Sequence, residues 1–453
     1  MGVHFAFDAS WDSLPHTWRA PMEPERMPFF TLPPTTLSIW EGTTISIPEV
    51  EFYFFSVAFW LELLVIFVVL IALAIVVGCV LYQYCIKPKR AFTSSSYIVA
   101  YGVVLPFWLV LPYMASSYFR VENKIIRFML TTVVTSISIF RTTAAVHGFS
   151  PQHATKSISD FAFYYACPVR ATYDTKRQQY QRATRASIRK RVIRFHTSMV
   201  IAGVVASIYQ MFPNIFPPLS EPSSPDDPVW YDWRQIINPS NLWANVCYAA
   251  FFQCYLTLFA ESMMFIQVFV TRIDCEETMD NPVFGSTSPS EFWGRRWNRL
   301  IHDCLKRGVF LPVKRQFAST TLAVMAAFCA SGVFHEWLQI TVFPPSWDHY
   351  VDDSDGSCHL WGRTGSFSSR HCYTPKYGVS LAFFMWQAVL IAIEFAAMPH
   401  CKDLFLNVPA QIKTVMTVIA GGCVAHWFTE PYVHSTFFLD GTVALCTWKL
   451  KGN

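Results

Sequence analysis

The sequence predicts an all-α integral membrane protein with about eight transmembrane helices. Three observations carry that prediction. Hydrophobic residues make up 53% of the 453 positions and charged residues only 15%, against about 25% charged in soluble domains. Mean hydropathy is +0.29, and several windows stay apolar for the roughly 20 residues that hydrocarbon requires. The connecting loops alternate basic and acidic, as loops on opposite sides of a membrane do.

The elements follow in chain order. Residues 1–50 are rich in Pro and aromatic residues, with Pro33 and Pro34 adjacent, and read as an irregular luminal cap. Spans are expected at about 53–84, 95–119, 127–147, 195–216, 241–270, 316–343, 376–398 and 408–433. Pro106 and Pro112 predict a kink in the second, because each removes a backbone donor. The chain thus divides into the cap, three spans over 51–147, a cytosolic basic and amphipathic segment over 148–194, and a larger bundle over 195–453.

Loop charge orients the set. Lys87, Lys89 and Arg90 follow the first span. Nine basic residues over 170–194 face the single acid Asp174, and 271–315 is basic again. Asp226, Asp227 and Asp232, and then Asp348, Asp352, Asp353 and Asp355, mark the intervening loops. The basic loops therefore belong in the cytosol and both termini in the lumen, with Arg120, Lys124 and Arg127 as an exception. The segment 170–194 is either a helix lying on the membrane, with Tyr173, Tyr180, Ile188 and Val192 toward lipid, or a solvated topology determinant. Cys358 and Cys372, alone in the loop 344–375, could close it as a disulfide in an oxidising lumen.

Several classes are excluded. The small positive net charge, +4, sits in loops beside spans, which argues for membrane lipid and against nucleic acid as a partner. The 13 cysteines include no C-x-x-C pair, so no metal site or redox motif is indicated. MGVHFAFDASWDSL lacks a signal-peptide apolar core, and Ala6 replaces the Ser or Thr of a myristoylation site. Nucleotide-binding and hydrolase motifs are absent. His349 to Asp353 matches the H-x-x-x-D of soluble acyltransferases, but Ser354 stands where a Gly is needed and the loop is short, so it is set aside.

Two features could carry chemistry. The stretch EFWGRRWNRLIHDCLKRGVFLPVKR from Glu291 reads as an in-plane helix with Trp293, Trp297, Leu300, Ile301 and Cys304 on one face. Arg295, Arg299 and Lys306 lie on the other, and Asn298 neighbours His302 on the border. It could present cations to a phosphate-rich ligand, or be an ordinary interfacial helix with snorkelling arginines. The second feature is His335, twenty residues beyond Arg315 and so about 30 Å along a helix. An ionisable residue inside a span marks a functional site by default, and a neutral histidine can take a proton from an alcohol or thiol. Its alternative is a bond to a neighbouring backbone carbonyl. Glu336 points about 100° away and reads as a supporting or structural residue. Glu62, Glu261, Glu394, Arg141 and His426 read as helix-pairing contacts.

Phe292-Trp-Gly-Arg-Arg-Trp-Asn298, followed by Ser331-Gly-Val-Phe-His-Glu336, resembles the membrane-bound O-acyltransferase superfamily in its wax-synthase-like branch. His147-Gly-Phe149, Tyr164 to Val169, and Ala425 to Pro431 are similar to that branch too. The resemblance covers roughly the C-terminal two-thirds of the chain. It implies spanning helices around an intramembrane reaction chamber, with His335 and Asn298 as catalytic residues. Ser331 and Glu336 would support them, and no cofactor or metal would be needed. Arg295, Arg296, Trp297, Arg299 and His302 would bind acyl-CoA, the donor substrate, and the acceptor would be a lipid alcohol.

The expected activity is acyl transfer giving a wax ester in the endoplasmic reticulum membrane. The sequence lacks the Phe-Tyr-x-Asp-Trp-Trp-Asn stretch of the diacylglycerol and sterol acyltransferases, which makes those acceptors the alternative. A transporter and an inactive lipid-binding scaffold are the alternatives of another class. The transporter is disfavoured because no internal repeat is visible. Homo-oligomerisation is left open.

Overall fold

In hydrocarbon every backbone amide must be satisfied within the chain, so apolar runs of this length become helices. A computed structural model describes residues 28–40, 43–87, 93–119, 121, 123–211, 236, 238–343, 349–351, 358–360, 376–435 and 437–450. Among them seven helices are long and apolar enough to span: Val57–Ile86, Ser94–Tyr118, Lys124–Val146, Arg185–Met211, Pro239–Thr271, Thr320–Val342 and Val379–Cys401. The third is the axis of the bundle, with 78% of its apolar window buried against 22–50% for the others. It can be central partly because several of its polar side chains are small and turn back onto its own carbonyls. Thr131, Thr132 and Thr142 each donate to the carbonyl four residues earlier.

The expected eighth span, 408–433, is two helices instead, Ala410–Gly422 and His426–His434. Gly421 and Gly422 are poor helix formers, and Pro431 removes a donor from the second piece. Val50–Tyr53 pairs antiparallel with Thr447–Leu450 and, on its other edge, with Phe30–Leu32. Both ends of the bundle therefore meet on one face, where the Ser56 amide also donates to the Val443 carbonyl at 2.9 Å.

Two expectations are corrected here. The cap is not irregular over its described part: besides the strands just named, Thr35–Trp40 pairs with Thr43–Ile47. Nor is 170–194 one surface helix. Tyr173–Asp174 and Gln179–Tyr180 form a short antiparallel pair, and the helix from Arg185 continues into the fourth span. Asp174 causes the turn by accepting the amides of Lys176 and Arg177 at 2.8 and 3.1 Å, and Gln178 takes a left-handed φ of 53°. Tyr173 and Tyr180 pack on one another and on His153 and Phe163 rather than on lipid. Backbone bonds from 170–183 to 272–276 place the two basic loops side by side. The proposed Cys358–Cys372 bridge needs Cys372, which lies outside the described residues.

The sixth and seventh spans cross unusually closely. A Cβ at Gly332 would lie 2.8 Å from Leu381 Cα, so only glycine permits this approach. That crossing comes one turn before His335 and sets where its side chain stands.

Candidate active site

A cavity of about 510 Å³ runs between the third, fifth, sixth and seventh spans, within the usual size range of small-molecule sites. Its walls are mostly Phe, Leu, Val, Ala and Met side chains. His335, Ser331, Asn298, Trp297, His302 and Lys306 all line it. The bundle therefore joins the basic stretch to the buried histidine, which are far apart in sequence.

His335 is held by its own helix. Its Nδ1 lies 2.7 Å from the Ser331 carbonyl oxygen, and because a carbonyl only accepts, Nδ1 carries the proton. The neutral ring then has its lone pair on Nε2. Aromatic walls fix the plane: Phe384 is stacked at 4.4 Å, with Phe334 and Phe428 edge-on at 5.4 and 5.3 Å. Both sequence readings meet here, since the carbonyl bond exists and leaves the other nitrogen for chemistry. Ser331 contributes its backbone oxygen to this arrangement.

The stretch after Glu291 is not the single amphipathic helix expected. A wide π-helical turn covers Phe292–Arg296, and the next helix starts only at Arg299. Between them Asn298 has a φ of 35°, a left-handed conformation that Asn tolerates better than most residues. Its Oδ1 accepts the Ile301 amide at 3.2 Å, so its remaining polar group is the Nδ2 donor. Ser290 donates twice to Glu394, and Trp293 donates to Gln387, which pins this stretch against the seventh span.

The expected cations behave differently from one another. Arg296 is bound to Glu291 at 2.8 Å and to Asp280, and Arg299 reaches Asp280 at 3.5 Å. Neither lines the cavity, nor does the exposed Arg295. Lys306 does, and so does His302, whose pKa is lowered by burial first and then by the Lys306 ammonium. Burial opposes ionisation of Glu291, yet hydrogen bonds from Thr287 and Arg296 hold its carboxyl below the usual range.

Glu336 does not reach the cavity. Its two oxygens accept the amides of Gly378 and Leu381 at 2.8 and 2.9 Å, capping the start of the seventh span. There a carboxylate satisfies orphan donors and complements the helix dipole. Glu336 is thus a structural cap. Arg141, read from sequence as a helix-pairing residue, instead gathers backbone: its Nη1 donates to the carbonyls of Tyr164, Tyr165 and Cys167. The cavity-lining Asn245, Gln387 and Thr429 carried no sequence signal beyond being polar in apolar runs. Among the described residues no cluster of three or more His, Cys, Asp or Glu could hold a metal.

Residues 276–352 match the model of the membrane bound O-acyl transferase family, a segment containing both Asn298 and His335. Over 116 residues the chain is 30% identical to probable long-chain-alcohol O-fatty-acyltransferase 3 of Arabidopsis thaliana, covering 24% of this chain and 33% of that protein. It is 34% identical over 77 residues to the long-chain-alcohol O-fatty-acyltransferase of Simmondsia chinensis, 15% of this chain and 22% of the relative. Diacylglycerol O-acyltransferase 1 of Arabidopsis thaliana matches at 29% over 97 residues, 21% of this chain and 17% of the relative. The chain thus spans about a third or less of the length of these relatives. The segment that holds Asn298 and His335 is thus similar to the membrane bound O-acyl transferase family and to long-chain-alcohol O-fatty-acyltransferases.

Proposed function

We propose that this protein transfers a fatty acyl group from acyl-CoA to the hydroxyl of a lipid alcohol in the endoplasmic reticulum membrane. The observation that supports it most is the His335 ring, its Nδ1 proton tied to Ser331, standing in an apolar chamber that extends to the basic stretch. His335 Nε2 takes the proton of the acceptor hydroxyl as its oxygen attacks the thioester carbonyl carbon. The C–S bond then breaks, and His335 returns the proton to the departing CoA thiolate. Apolar walls keep out the water that would otherwise hydrolyse the donor. CoA phosphates meet Lys306 at the chamber and the neighbouring Arg295 outside it. Asn298 Nδ2 donates to the thioester oxygen as negative charge develops there.

A long-chain alcohol, giving a wax ester, is the favoured acceptor, and diacylglycerol is the second reading because a diacylglycerol acyltransferase is among the relatives. Labelled acyl-CoA would be given, with fatty alcohols, diacylglycerol and sterols, to membranes of cells that lack neutral-lipid synthesis. A labelled ester dependent on this chain is expected. Its absence with every acceptor would reject acyl transfer to lipid alcohols.

Asn298 permits a separate test, since glycine keeps a left-handed backbone while removing the side chain. Asn298→Gly should fold and bind donor yet turn over about 10²–10³-fold more slowly, the usual cost of losing one such donor. Near-normal turnover of Asn298→Gly would mean that Asn298 serves the backbone alone.

A further inference from the structure

A glycine inside a helix weakens it relative to alanine, so its presence needs a reason. In this bundle the reason is usually visible. A Cβ at Gly332 or Gly308 would press on neighbouring backbone at 2.8 and 2.5 Å, and Gly148 and Gly378 have positive φ. Two glycines of the chamber wall have neither reason. Gly294 lies in the π-helical turn and Gly422 in the helix Ala410–Gly422. Neither has a positive φ, and a Cβ on either would meet no atom within 4 Å. Nor does this helix end on a left-handed residue, the usual use of a terminal glycine, since Cys423 keeps a φ of −59°. Both positions are partly exposed, so the space beside them is open.

The two glycines flank one part of the chamber. Trp293 Nε1 donates to Gln387 Oε1 at 3.2 Å, and Gln387 Nε2 donates to the Gly421 carbonyl at 2.9 Å. One side chain of the seventh span thus ties the residue before Gly294 to the residue before Gly422. From Gln387 the wall continues along the seventh span through Ile391 to Phe395. Phe395 is 49% exposed, so this side of the chamber reaches the lipid surface. The side built on the third and fifth spans is closed. Phe128, Phe259 and Tyr432, which line it, are at most 8% exposed, and the Phe128 ring packs on the other two.

We infer that Gly294 and Gly422 determine acceptor specificity, because the acceptor's hydrocarbon chain runs past them from His335 toward Phe395 and the bilayer. This rests on the acyl-transfer reading above. The occupant is the acceptor because its chain resides in the bilayer, which the chamber meets on this side. The donor is held elsewhere on the wall, by its polar end at His302 and Lys306. A side chain at 294 or 422 would fill space that only a bound chain uses.

The test gives Gly422→Leu and Gly294→Leu, in membranes with palmitoyl-CoA, a series of straight-chain alcohols from butanol to hexadecanol. Should diacylglycerol be the acceptor, diacylglycerols of increasing chain length replace them. For the longest acceptor kcat/KM should fall by roughly tenfold or more, the scale on which a few methylenes discriminate, while the shortest stays near wild type. An equal loss with every acceptor, or no loss, would overturn the inference. A loss that instead follows the acyl length of the donor would assign the space to the donor and also overturn it. No ester from the wild-type protein with any acceptor would reject acyl transfer itself. An independent measurement is thermal melting in detergent without substrate. Gly422→Ala and Gly294→Ala should melt no lower than wild type, because alanine favours the helix and its Cβ meets nothing. A lower melting temperature would mean that the fold requires these glycines and would reject the proposal.

Discussion

His335→Ala is expected to reduce ester formation by at least about 10²–10⁴-fold, the usual contribution of a general base, in protein that remains inserted. Its one hydrogen bond is to its own helix, so removing the side chain breaks no polar tie between helices and loses only ring packing on Phe384 and Phe428. The close crossing at Gly332 and the Glu336 cap on the seventh span are untouched by the change. Donor binding should persist, since the cations and Asn298 belong to a separate stretch of chain. The measurement is turnover alongside equilibrium binding of a non-hydrolysable acyl-CoA analogue. Loss of both together would mean that His335 builds the chamber rather than moving a proton. Near-normal turnover would remove it from the chemistry, and a loss on His349→Ala would move the site to the loop 344–375.

The largest stability effect is expected at Glu261, in the fifth span. Its carboxylate, 2% exposed, faces Arg194 at 2.7 Å and the buried Arg191 at 3.5 Å of the fourth span. Arg191 also donates to the Cys275 carbonyl at 2.6 Å, and Arg194 and Lys190 share Glu277. Glu261→Ala leaves Arg191 buried without its counter-ion, a change that typically costs roughly 3–5 kcal/mol. The double variant Glu261→Leu with Arg191→Leu should recover much of that loss, because apolar replacement of both partners avoids the stranded charge. Thermal melting in detergent reads both. An unchanged melting temperature for Glu261→Ala would show that the pair is not what joins these spans.

Much of the fold was legible before any coordinates. Spanning helices declare themselves through length and apolarity, because lipid offers backbone groups no other partner, and seven of the eight expected spans are single helices. His335 was legible for a related reason: an ionisable side chain is conspicuous where all its neighbours are apolar. The motifs around Asn298 and His335 that carry the resemblance were visible as short strings of Trp, Arg, Asn, Ser, Gly and His.

Only the tertiary structure decided how these parts meet. Helical periodicity places Asn298 on a regular helix, yet the π-helical turn and the left-handed Asn298 are set by packing against the seventh span. Two carboxylates equally polar in sequence part company in space. Glu336 caps one helix and Glu261 holds the arginines of another, because their partners lie 42 to 70 residues away. The strand pairing that joins the two ends spans nearly the whole chain, and no local pattern announces a partner so distant. The same limit applies to Asn245 Oδ1 and Thr429 Oγ1, which are buried with no hydrogen-bond partner. A sequence shows that a residue is polar, but only the folded bundle shows whether anything is there to bond it.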